Sequence, residues 1–396
     1  MEVRRNIGIA YFLSFAFHSW FWLGSWIFYY LRFGDYASVA LLDSGAVAMT
    51  LVMEIPTGAF ADLMGKKKTL FLAFLLQGLG NILMGISGNF WMLAISLWLF
   101  TCVGGAFFSG SLEALVYDSL KSLKEENVFD KVMGGLGAAR LWAISICGII
   151  GGFSYYLYPG LPFILNGVVC LVGMIACAWL VEPVIDTNMM YSAKGFIRQN
   201  VMGFKTLFGN SYMRRLTTFL VVTGAFGVLV FQLLDDLLAV EYGYSPIGVS
   251  VLFSVSCLIA GFGSFYLPRM KVKFDQQKLL IVSMVVVSMT LVISPWIGMF
   301  VFGGFTLLRI VFEVLYENAS SVVINSNTES ESRTTTLSSL SLLRNVPYAL
   351  GGAFIGALIQ FSGGAMSFAL WFGVAMLTLT LFLGRGIGSN KHSGNA

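Results

Sequence analysis

The chain has 396 residues, of which 57% are apolar and 11% charged, with a formal net charge of +4. Soluble domains carry about 25% charged residues, and a water-soluble fold could not hide this much apolar surface. In lipid the backbone must satisfy itself, so the spans are helices or closed barrels, and continuous apolar runs of about 20 residues select helices over the ~10-residue strands of a barrel.

Twelve apolar spans run near 7–31, 37–61, 69–88, 91–116, 135–157, 161–181, 216–240, 246–268, 278–296, 297–318, 336–360 and 364–384. Each can cross ~30 Å of hydrocarbon with some tilt. Span one follows Arg4 and Arg5, is too long for a signal peptide and lacks a small-residue cleavage site, so it reads as an uncleaved insertion signal. It places His18 roughly 16 Å into the helix. Phe15, His18, Trp22, Trp26 and Tyr29 share one face of a continuous helix. That stripe either stacks flat or cationic solutes or packs as an interfacial belt. Span two carries Asp43. All five cysteines fall inside apolar runs and read as packing residues, with no disulfide framework.

The connection 183–215 divides the chain into a first six-helix bundle, 1–182, and a second, 216–396. Its stretch 194–208 sets Phe196, Ile197, Val201, Phe204 and Phe208 among Lys194, Arg198 and Lys205. That pattern suits either an amphipathic helix on an anionic leaflet or a solvated linker. With the N-terminus inside, nearly all basic residues fall on cytoplasmic connections, and the external ones hold only Arg32. This bias predicts cytoplasmic N- and C-termini for a multi-pass protein of the cell membrane. The halves repeat faintly: Arg140 precedes Gly148, Gly151 and Gly152, and Arg344 precedes Gly351, Gly352 and Gly356.

Between spans two and three stands GAFADLMGKKK, Gly58 to Lys68. Gly58, Asp62, Gly65, Lys66 and Lys67 in this order resemble the loop between helices two and three of major facilitator superfamily transporters; the departure is Leu63, where that family has Arg or Lys. The stretch from Tyr316 through RTTTLSSLSLLRN looks like the corresponding region of the bacterial multidrug-type members, which resemble drug:proton antiporters. The Gly-Pro signature of such antiporters is missing from span five, and Leu97 to Thr101 holds no counterpart of their helix-four Arg. The resemblance implies an all-α membrane protein of twelve helices in two pseudo-symmetric bundles, working by alternating access. It also implies that Asp62 sits near the start of helix eleven.

Ionisable residues at bilayer depth are costly and face a cavity or a partner. Near the predicted inner surface lie Asp62, Lys66, Glu113, Asp118, Arg140, Glu313, Glu317 and Arg344, which with Gly58 and Gly65 make an inner-gate set. The expected bridges are Lys66 with Asp118, Glu113 with Arg140, and Glu317 or Glu313 with Arg344, acting either as switches or as static clamps. Arg309 either binds an anionic solute or holds an acid, for which Glu313, one turn on, is the simplest partner. His18, Trp22, Trp26, Arg309 and Glu313 are the cavity candidates. Asp43, His18, Asp235 and Asp236 are the proton-coupling candidates; for the Asp pair the other reading is exposure at the external mouth.

The sequence holds neither a phosphate-binding Gly-Lys-Ser/Thr loop nor a metal-ligand cluster nor a nucleophile–base pair. The expectation is therefore a transporter and not an enzyme, without cofactor or nucleic acid, acting as a monomer on a small solute and driven by an ion gradient, most simply protons. Export of amphipathic or drug-like compounds is the first reading. Uptake of one nutrient or anionic solute is the second, and a non-transporting receptor on the same fold is the third.

Overall fold

The computed structural model describes residues 2–183, 202–266, 275–329 and 332–387, and these form helices and connections without a strand. Of the linker stretch expected to be amphipathic, residues 194–201 lie outside the described residues, and 202–207 are helical. The first span comprises α1 (Glu2–Phe17) and α2 (Trp26–Tyr30). Then follow α3 (Tyr36–Met64), α4 (Lys66–Gly85), α5 (Phe90–Ser122), α6 (Phe129–Leu157) and α7 (Leu161–Cys177). The second half holds α8 (Ser211–Glu241), α9 (Pro246–Tyr266), α10 (Gln276–Ile293), α11 (Met299–Ser326), α12 (Arg333–Phe361) and α13 (Ala365–Gly384). Among the described residues, nine helices are long and apolar enough to cross a membrane, and Leu161–Cys177 and Pro246–Ile259 are shorter apolar helices.

Several helices outrun the spans read from hydropathy. α6 begins at Phe129, ahead of 135, and α11 ends at Ser326, beyond 318. Polar residues there let the helix continue past the hydrocarbon boundary, where hydropathy no longer marks it.

The chain forms two compact units. The first holds Met1–Gly34, Gly45–Gly195 and Ser245–Leu258; the second holds Asp35–Ser44, Phe196–Tyr244 and Ile259–Ala396. Their limits differ from the sequence halves at two segments. Asp35–Ser44, which holds the start of α3, belongs to the second unit, and Ser245–Leu258, which holds the first thirteen residues of α9, belongs to the first.

Within the first unit, α4 lies against α7 through small residues. A Cβ on Gly160 would stand 1.8 Å from the Gly85 carbonyl oxygen, and one on Gly167 would stand 2.7 Å from that of Gly78. Without a hydrophobic drive between helices in lipid, such backbone approach supplies the packing. In the second unit α10 and α13 meet in the same way at Gly373.

Each unit also closes a helix start with a distant carboxylate. Glu182 accepts from the Lys66 and Lys67 amides at 2.7 and 2.8 Å, at the N-terminus of α4, and Gly65 before it has φ +88°. In the second unit Glu241 accepts from the Ala365 and Met366 amides of α13 and from the Tyr36 hydroxyl. A carboxylate there satisfies otherwise unpaired amides and complements the helix dipole. Removing the first of these caps by Glu182→Ala is expected to cost about 0.5–2 kcal/mol, measured as a lower unfolding temperature of the purified protein.

Candidate functional site

In the first unit the first span is interrupted, which corrects the expectation of one helix with a continuous ring stripe. Residues 18–25 leave the α-helical ladder: the Trp20 amide donates to the His18 carbonyl and the Phe21 amide to the Ser19 carbonyl, both at 2.8 Å. The freed groups find side chains. Ser19 Oγ donates to the Phe15 and Ala16 carbonyls. Asn166, fully buried on α7, donates to the Ser19 carbonyl at 2.8 Å and accepts from Trp22 Nε1 at 3.1 Å. Gly151 of α6 admits the segment, since a Cβ there would stand 1.6 Å from the Phe21 carbonyl oxygen. Irregular backbone at membrane depth is tolerated only where protein buries it or where it lines a cavity. A lone Asn in the run FILNGVVC gave the sequence reading no signal of this clamp. Asn166→Leu is expected to lower stability by about 1–3 kcal/mol and to speed amide hydrogen exchange at residues 20–23.

The interruption redistributes the rings. Trp26 is buried against Tyr30, away from accessible space. Trp20 and Trp22 stack with centroids 5.4 Å apart, and His18 lies 5.7 Å from Trp20. His18 Nδ1 donates to the Ser14 carbonyl at 2.8 Å, because a carbonyl can only accept. His18, Trp20 and Trp22 all remain partly accessible.

Of the expected bridges, Lys66 Nζ lies 2.9 Å from Asp118, and Arg344 Nη1 lies 2.9 Å from both Glu317 oxygens. Arg344 also donates to the Leu220 carbonyl and Ser320 Oγ, and a Cβ on Gly224 would strike it at 2.6 Å. The expected Glu113–Arg140 pair is not formed: both side chains are exposed, and Arg140 lies over the Trp20 ring at 6.0 Å. The reason is helical phase. Arg140 shares its face of α6 with buried Leu136, Ile144 and Cys147, and Leu136 meets Ser14 of α1. Gly58 is part-buried in α3, and the side chain of Asp62, expected near the start of helix eleven, lies outside the described residues.

In the second unit Arg309 holds an acid, the second of its two expected roles, but the acid is not Glu313. The arginine is fully buried and pairs with Asp235, with Nη2 2.8 Å from Oδ1 and Nε 3.2 Å from Oδ2. Thr306 also accepts from Nη2, Thr290 accepts from Nη1, and the Phe302 ring lies 5.2 Å away. Glu313, the partner expected from helical spacing, makes no hydrogen bond or ion pair among the described residues and is partly accessible. Asp235 and Asp236 are buried, not exposed at a mouth. Asp235 comes from α8, a partner that spacing along α11 cannot reveal.

Asp43 is part-buried and accepts from the Tyr348 hydroxyl at 2.6 Å. Around this bond α3 and α12 approach through glycines: a Cβ on Gly352 would stand 2.2 Å from Ser44, and one on Gly356 would stand 2.5 Å from Ala40. No cation lies within ion-pair reach of Asp43 among the described residues.

Residues 7–316 match the family described as Major Facilitator Superfamily. Among solved structures, the nucleoside transporter NupG is similar over 98% of this chain and 100% of its own, with a TM-score of 0.77 and 15% identity. The peptide transporter POT in complex with sulfate is similar over 96% of this chain and 93% of its own, with a TM-score of 0.75 and 14% identity. A POT family transporter in complex with 5-aminolevulinic acid is similar over 96% and 95%, with a TM-score of 0.73 and 12% identity. No curated protein sequence matches the chain. At these identities the structures speak for the fold alone.

Proposed function

The chain belongs to the Major Facilitator Superfamily of transporters, and on that premise we propose that it moves a small amphipathic solute by proton-coupled alternating access, in the direction of export. The observation that carries the coupling is Asp43, a carboxylate within a span whose one partner among the described residues is a neutral phenol. Charge at that depth is costly, and protonation removes the cost without breaking an ion pair. The partly accessible rings at the break in the first span suit an amphipathic solute. The commitment of Arg309 to Asp235 takes away the residue on which uptake of an anionic nutrient was first argued. The Lys66–Asp118 and Arg344–Glu317 bridges at the predicted inner ends of the spans serve as gate contacts in this reading. The protein works as a monomer in the cell membrane with both termini in the cytosol.

The test is flux in proteoliposomes carrying an internal pH dye, with a panel of amphipathic ions, a nucleoside and a dipeptide, with and without an imposed pH gradient. Proton movement on adding an amphipathic compound, accelerated by the gradient, is the expected result. Binding without flux would favour the receptor reading. Accumulation of the nucleoside or dipeptide alone would turn the reading to uptake.

A further inference from the structure

The first unit holds an arginine that its fold leaves unanswered. Arg140 stands about 8 Å past the span boundary at 135. It is exposed, yet it does not face outward: Trp142, Ile146 and Phe153 occupy the outward face of α6, while the neighbours of Arg140 on its own face are buried. Among the described residues no carboxylate lies within ion-pair reach of it, and it makes no hydrogen bond. Its contacts are the Trp20 ring, at 6.0 Å, and an electrostatic interaction with His18. The other deep arginines are saturated: Arg309 by Asp235 and two threonines, Arg344 by Glu317, Ser320 and a carbonyl. An intramembrane ion with no protein partner marks a functional position.

The surroundings of Arg140 are built. The break at 18–25 turns Trp20 and Trp22 into a stacked pair beside it, and Asn166 fixes the segment from α7. A guanidinium lying on an indole keeps its edge donors free, and those donors match the two oxygens of a carboxylate or phosphate. The indole pair offers a flat apolar surface next to them.

From this we infer that Arg140, with Trp20 and Trp22, forms a subsite for the anionic end of a planar amphipathic solute, the planar part lying along the indoles. The subsite gives the proposed transporter a substrate class and rests on that reading. It also moves anion recognition from Arg309 to Arg140.

The experiment uses the whole purified protein in nanodiscs and calorimetric binding of three probes that share one ring: 2-naphthoate, 2-naphthamide and 2-naphthyltrimethylammonium. The wild-type protein is expected to bind naphthoate at least about tenfold more tightly than the other two. Arg140→Gln should erase roughly that factor for naphthoate and leave naphthamide unchanged, since a charge-assisted pair is worth about a factor of ten or more. Arg140→Lys should recover part of it, and Trp20→Leu should weaken both naphthoate and naphthamide. Equal or tighter binding of the cation by the wild type, or naphthoate affinity indifferent to Arg140→Gln, overturns the proposal; the wild-type ranking decides even where that variant does not fold. Discs of zwitterionic and of anionic lipid separate the two sources of an anionic group. At an ionic strength that screens the bilayer surface, a wild-type naphthoate affinity that survives only in zwitterionic discs assigns Arg140 to the headgroup of an anionic lipid and overturns the solute assignment. Naphthoate binding of the expected pattern without flux would defeat the transport reading and keep the subsite. Flux of the cation unaffected by Arg140→Gln would do the reverse.

Discussion

Arg309→Met is expected to destabilise the protein by about 3–5 kcal/mol, seen as a large fall in thermal unfolding temperature in detergent, and Asp235→Leu added to it should restore most of the loss. Arg309 and Asp235 both have side chains with no solvent exposure. Removing one partner strands a carboxylate where neither water nor another cation reaches it, and that stranded charge supplies most of the penalty. Removing both exchanges an ion pair, already paid for in desolvation, for apolar volume, which is commonly neutral or stabilising. The pair ties α8 to α11, and Thr290 brings in α10, so the effect should appear as loss of cooperative unfolding of the second unit. The rival view, that Arg309 holds solute, predicts the opposite pattern: a stable variant with weakened solute affinity. A single variant that unfolds at the wild-type temperature would return Arg309 to the cavity.

The helical class and most span positions were readable because apolar run length is a one-dimensional signal. What escaped were features set by partners from other helices. Arg309 has Glu313 four residues on, and spacing favoured that pair; the structure prefers Asp235, which arrives from α8 and encloses the guanidinium fully. The same holds for Arg140, whose phase on α6 points it at α1 and not at Glu113. The break at 18–25 was missed because its main causes are remote. It depends on a lone buried Asn on α7 and on the absence of a side chain at Gly151; the local run HSWFWLGS, with its His, Gly and two Ser, is more polar than its flanks, yet its rings and Leu23 keep it inside one apolar span. Lys66–Asp118 and Arg344–Glu317, by contrast, join residues that depth along their spans had already grouped at the same predicted end.

Asp43→Asn should remove pH-driven solute movement, lowering gradient-accelerated flux at least about tenfold, while solute exchange at equal pH on both sides continues. The distinction follows from what the substitution changes. Asn keeps the size of the side chain and can still accept from the Tyr348 hydroxyl, so the approach of α3 to α12 at Ser44–Gly352 and Ala40–Gly356 is preserved. It cannot take up or release a proton. The charged groups around this bond leave Asp43 as the free acid: Arg344, one turn from Tyr348 on α12, is engaged by Glu317, and Glu241 near the start of α3 holds Tyr36 and the first amides of α13. Asp236 on α8 interacts electrostatically with Tyr348 and is the one other carboxylate beside the pair. It therefore supplies the control. If Asp236→Asn abolishes coupling and Asp43→Asn does not, the proton is carried on α8. Tyr348→Phe separates the bond from the proton: with the phenol gone the carboxylate still titrates, so coupling should persist with a shifted pH dependence. Flux that depends on the gradient as strongly in Asp43→Asn as in the wild type would remove this residue from the proton path.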